Sequence, residues 1–193
     1  MDNKDSLLNS LNRRQGAIKK ISKVASFQTL KTLADGIFMS KLIYLMPVWG
    51  GCEAYLLKSL QVVQNKVARS VTKYDKFTTT KKLMDTCNWM TVRQLVSYHS
   101  LVQLQKTINS RKPAYLYQKV TSGGSYPYPT RQAASGQLRQ VDGARADLDI
   151  AKQGWGCRAV EEYNKLPPDI RQEVRLPSFK RKLRSWVVRN VSL

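Results

Sequence analysis

Between Leu30 and Val71, apolar residues recur at helical spacing in two runs, separated by Met46-Pro47-Val48-Trp49-Gly50-Gly51-Cys52. The first run, Leu30, Leu33, Ala34, Ile37, Phe38, Leu42 and Leu45, follows the i, i+3, i+4, i+7 rule for one greasy stripe on a helix. The second, Leu56, Leu60, Val63, Val67 and Val71, repeats it. Pro47 stops a helix and Gly50-Gly51 lets the backbone reverse, so the pattern predicts an αα-hairpin with Trp49 near its closed end. The polar face of the second helix carries Lys58, Gln61, Asn65, Lys66, Arg69 and Lys73 and is expected to meet water or an anion.

The same periodicity predicts a first helix over 4–25, with Leu7, Leu8, Leu11, Ala17, Ile18, Ile21 and Val24 as its stripe and Gly16 weakening its middle. After the hairpin, residues 74–80 read as a loop and 80–86 as a short helix. Thr91-Val92-Arg93-Gln94 is a capping box, a hydroxyl at the N-cap with a glutamine three residues on. The helix it opens carries Val92, Leu95, Val96, Leu101, Val102, Leu104 and Ile108 on more than one side, which predicts a central buried helix. Pro113 permits a short helix over 114–120. Residues 121–143, with Ser122-Gly123-Gly124-Ser125 and Tyr126-Pro127-Tyr128-Pro129, lose all periodicity. Helical patterns resume over 157–166, ended by Pro167-Pro168, and from Pro177, where Phe179, Leu183, Trp186 and Val187 share a face. The expectation is an all-α helical bundle: a domain over 1–120, a linker or loop over 121–147, and a C-terminal helical extension over 148–193.

Charge changes this picture most. Lysine and arginine number 33 against 13 acidic residues, a net +20, and each quarter of the chain is basic. Such a field attracts polyanions, nucleic acid first and acidic membrane surface second; the alternative is a solvated surface without an anionic ligand. Cys52, Cys87 and Cys157 are far apart with one histidine, His99, for company, so neither a zinc site nor a disulfide framework is expected and the thiols read as core fillers in a reducing compartment. No leader pattern opens the chain and no apolar run reaches the roughly 18 residues of a membrane span, which points to an intracellular protein of nucleus or cytoplasm. Its opening directly on a helix suggests a piece of something longer.

Candidate chemistry is correspondingly one-sided. Lys73, Lys76, Lys81 and Lys82 crowd around Tyr74 and Phe77, the basic and aromatic mixture that suits single strands or phosphate backbones; the competing reading is a hydrated loop with Phe77 tucked into the core. Arg131 and Arg139 project from the irregular stretch. Lys180, Arg181, Lys182, Arg184 and Arg189 form the densest basic patch, open to phosphate contact, nuclear import or membrane contact. His99, among apolar neighbours, reads as a core or boundary residue rather than a catalyst. None of the nine aspartates is next to another, and only Asp147 and Asp149 approach the spacing of two-metal phosphoryl transfer. GxxxxGK, GxGxxG, GxSxG and HExxH are absent, so the chain reads as a binder without an active site, cofactor or metal.

Several stretches carry a resemblance: residues 36–44 (GIFMSKLIY), Trp49-Gly50-Gly51-Cys52, residues 60–69 (LQVVQNKVAR), Thr130-Arg131, Tyr163-Asn164-Lys165-Leu166-Pro167 with Ile170-Arg171, and Phe179-Lys180. In this order they resemble the region after the catalytic palm in reverse transcriptases of non-LTR, LINE-type retrotransposons of the jockey or CR1 sort. The likeness covers most of the chain, with 60–69 its most specific part; Tyr163 stands where many relatives have tryptophan. It implies a helical thumb with a C-terminal extension that grips template RNA and growing DNA, and possible docking on a palm domain. The palm's own box, an aromatic followed by x-Asp-Asp, is absent, so polymerase activity does not carry over. The resulting expectation is a non-catalytic module binding RNA, DNA or their hybrid through Lys58, Lys66, Arg69, Lys73, Lys76, Lys81, Lys82, Arg131, Lys180, Arg181, Lys182 and Arg184. The alternative is a helical protein-contact module, and neither reading calls for a membrane or a small-molecule ligand.

Overall fold

A computed structural model describes residues 2–44, 46–51, 54–121 and 155–191, and every regular element among them is helical. These residues fall into two compact units, one drawn from 2–46 and 54–95, the other from 47–51 and 96–191. Leu45, Cys52, Glu53, Arg131, Arg139 and the irregular stretch after Thr121 lie outside the described residues.

In the first unit, α1 (Asp2–Ile21) is shorter at its C-terminal end than its apolar pattern predicts. The reason is local. Ser26 is the N-cap of α2 (Phe27–Ala34), its hydroxyl accepting from the Thr29 amide at 3.3 Å, and a capping residue must leave the helical region. Leu11 and Ile18 are buried, whereas Val24 falls in the turn and is 88% exposed. Beyond α2 the backbone widens into a π-helical turn, Asp35–Met39, before α3 (Ser40–Ile43). A π turn inserts one residue, and here it lets consecutive Phe38 and Met39 both face the core. It also carries Asp35, which accepts from the Trp89 indole N–H at 2.7 Å and pairs with Lys31.

Helix α5 (Ala54–Thr72) packs on α1, α2 and α6 (Thr80–Cys87), burying Leu60, Val63, Val67, Ala68 and Val71. The expected hairpin partners therefore meet, and α1 and α6 add to the same core. Pro47 lies inside a short helix, α4 (Met46–Trp49), at a position that needs no intrahelical N–H.

The capping box at the start of α7 (Val92–Ser110) closes in both directions: the Gln94 amide donates to Thr91 Oγ1 at 3.3 Å and the Thr91 amide to Gln94 Oε1 at 3.0 Å. Its residues from Val96 onward belong to the second unit, where α7 is buried on several sides, including polar Ser97, Ser100, Gln105 and Thr107. There follow α8 (Ala114–Thr121), α9 (Trp155–Asn164), α10 (Pro168–Arg171) and α11 (Leu176–Asn190). Gln105 Nε2 and Asn109 Nδ2 of α7 donate to the carbonyls of Glu173 and Val174 at 3.1 and 2.9 Å, pinning the segment that leads into α11. Phe179, Leu183 and Val187 bury one face of α11; Trp186, expected beside them, is half-buried. Cys87 and Cys157 are buried, as core fillers should be.

Candidate nucleic-acid interface

The stretch 60–69 is built around hydrogen bonds to the segment 78–92. Gln61 Oε1 accepts from the Val92 amide at 2.8 Å and Gln61 Nε2 donates to Asn65 Oδ1 at 2.9 Å. Asn65 Nδ2 in turn donates to Thr80 Oγ1 at 2.9 Å, and Arg69 Nη2 to the Thr78 carbonyl at 3.3 Å. Gln64, fully buried, donates to the Met90 carbonyl at 2.9 Å. The polar face of α5 is thus divided: Lys58, Lys66 and Lys73 meet water as its sequence suggests, whereas Gln61, Asn65 and Arg69 are part-buried against the chain. Three of its members hold α6 and the start of α7 in place, and Arg69 acts there as a support for the turn. Of the polar residues in this stretch, Lys66 stays exposed.

That support fixes the turn between α5 and α6. Lys73, immediately after α5, is exposed, and its φ of 57° is the left-handed conformation that closes a helix C-terminus. The Thr78 amide donates to the Asp75 carbonyl at 3.1 Å, and Thr79 caps α6. Lys66, Lys73, Lys76, Lys81 and Lys82 are all exposed around this turn; Lys58 is exposed further up α5. Two rings accompany them. Phe77 is not tucked into the core: it is 79% exposed, with Lys76 Nζ 4.9 Å from its ring centre, and Tyr74 is 38% exposed under Lys82 Nζ at 5.2 Å.

In the second unit, Arg181, Lys182, Arg184 and Arg189 are exposed on α11 and Lys180 is half-buried. Lys182 is already engaged, donating to Glu173 Oε2 at 2.8 Å and to the Asp169 carbonyl at 3.4 Å. That ammonium bond, above all, holds the Glu173 carboxyl below its ordinary value. Lys180 joins Lys106, a residue the sequence did not single out, beside His99. Burial first, then these two cations, push the His99 imidazole down to about 4, so it is neutral at pH 7. Its ring stands edge-on to Tyr98, centres 5.2 Å apart. Lys106 lies seven residues along α7 from His99, which is legible in sequence; the approach of Lys180 is not.

Burial perturbs other groups as well. Burial raises the Cys87 thiol to about 11, with Lys31 opposing and Asp35 adding, so it is not a nucleophile near neutrality. Glu162 accepts from Ser97 Oγ at 3.1 Å and is raised, chiefly by burial. Among the described residues no group of three or more His, Cys, Asp or Glu gathers as a metal site, and no helix is long and apolar enough to cross a membrane. Comparison with known proteins yields no relative: no family model, curated protein or solved structure matches this chain.

Proposed function

We propose that the chain is a nucleic-acid-binding module without an active site of its own, akin to the thumb and C-terminal part of a retrotransposon reverse transcriptase. The observation that carries this reading is the α5–α6 turn, where five exposed lysines and two exposed rings surround a backbone held by Asn65 and Arg69. Its lysines neutralise phosphates, so affinity comes from displaced counterions and sequence selectivity is weak. The basic face of α11, where Arg181, Arg184 and Arg189 are exposed, is a second place for phosphate contact.

Filter binding of the full chain to an RNA/DNA hybrid tests this. Affinity should fall by at least roughly tenfold between low and physiological salt. The exposed pair Lys66→Glu and Lys76→Glu should weaken binding and flatten the salt dependence by about one to two ions while leaving helical content intact. Binding that ignores salt, or the absence of binding to hybrid and single strand alike in dilute buffer, overturns the reading. Absence would leave standing the protein-contact module, which the exposed apolar residues Ile21, Val24 and Phe27 at the α1–α2 turn favour.

A further inference from the structure

The geometry points to unpaired nucleotides, rather than duplex, as what the α5–α6 turn takes, with a base stacked on the Phe77 ring. This deepens the nucleic-acid reading of that turn and rests on it. A phenyl group left 79% exposed forgoes the burial that ordinarily places it inside, and the neighbouring Tyr74 is also partly open. The turn is not slack: the Arg69–Thr78 and Asn65–Thr80 bonds hold its far side, and the Asp75–Thr78 bond closes it. The ring is therefore presented outward by supported backbone.

Each ring has a lysine ammonium against it, at 4.9 Å for Phe77 and 5.2 Å for Tyr74. A base needs an open ring face to stack on and its phosphate needs a cation within a few ångströms. Phe77 with Lys76 supplies both from adjacent residues, and Tyr74 with Lys82 repeats the arrangement. In a duplex the base faces are covered by their neighbours, so such a ring has nothing to stack on. Electrostatics alone predicts the opposite order of affinity. A duplex carries a phosphate charge about every 1.7 Å of axis, roughly twice the density of a single strand, and a purely cationic surface prefers the denser polyanion. A preference for single strands is thus a signature of stacking.

The full chain is titrated with a mixed-sequence single-stranded oligonucleotide and with the same sequence as a duplex, at one salt concentration. The wild type should favour the single strand. Phe77→Ala should lose roughly tenfold on the single strand and little on the duplex, whereas Phe77→Trp, which keeps a stacking face, should retain affinity. Far-ultraviolet circular dichroism of both variants checks that the exposed substitution leaves the fold unchanged. Equal losses on both ligands, or none on the single strand, overturn the proposal while the charge-reversal response keeps the broader reading alive. A wild type that binds neither ligand overturns both.

Discussion

Arg69 and Lys66 are three residues apart in one basic stretch and have different tasks. Lys66 is exposed and free to meet a phosphate; Arg69 spends a guanidinium N–H on the Thr78 carbonyl and positions the turn. Composition cannot separate them, because a cation's role depends on which carbonyl the fold brings within reach. His99 makes the same point with a measurable consequence. Its folded value of about 4 lies below the ordinary 6.5, so between these limits the unfolded chain binds the extra proton. Stability should be full above about pH 6.5 and decline as pH falls toward 4, by about 3 kcal/mol at roughly 1.4 kcal/mol per pH unit. Glu162, raised by burial, contributes the opposite slope above its ordinary 4.5. The difference between wild-type and His99→Gln urea-denaturation profiles isolates the histidine. Difference profiles flat across this window would show that His99 is not held neutral by its surroundings.

At the level of elements, local signals were reliable wherever the determinant is a few residues long. The reciprocal Thr91–Gln94 cap, the start of α11 near Pro177 and the buried stripe of α5 were all legible, since propensity, capping and period act within a turn or two. The π turn at Asp35–Met39 was not. A 3.6-residue count cannot register one inserted residue whose benefit is to bury Phe38 and Met39 together and bring Asp35 to Trp89. The end of α5 is similarly hidden, with a lysine at φ 57° where glycine is the unstrained choice. Lys73→Gly should raise unfolding free energy by about 0.5–1 kcal/mol by relieving that conformation. If Lys73 meets phosphate, the same variant should bind nucleic acid more weakly, with a salt slope shallower by about one. Denaturant titration and binding at several salt concentrations read the two effects separately. A more stable variant with unaltered binding would remove Lys73 from the interface.

Across the whole molecule the dominant quantity is the charge of +20. Pairs such as Lys31–Asp35 and Lys182–Glu173 offset individual cations, but 33 basic residues face 13 acidic ones, and the surplus repels itself in the free chain. Thermal stability should therefore rise by a few degrees as sodium chloride increases from about 0.05 to about 0.5 M, because the Debye length shrinks from over 10 Å to roughly 4 Å. Differential scanning calorimetry measures this, and a melting temperature that falls with salt would mean that attraction outweighs repulsion. The all-α class, most helix positions and the cationic surplus were determined by sequence alone, since they depend on composition and on contacts within a turn or two of helix. Which cations stay exposed, that Phe77 faces outward, and that the polar face of α5 is tied to residues 78–92 were decided only by tertiary structure. The last rests on partners 9 to 31 residues away, whose approach no local pattern encodes.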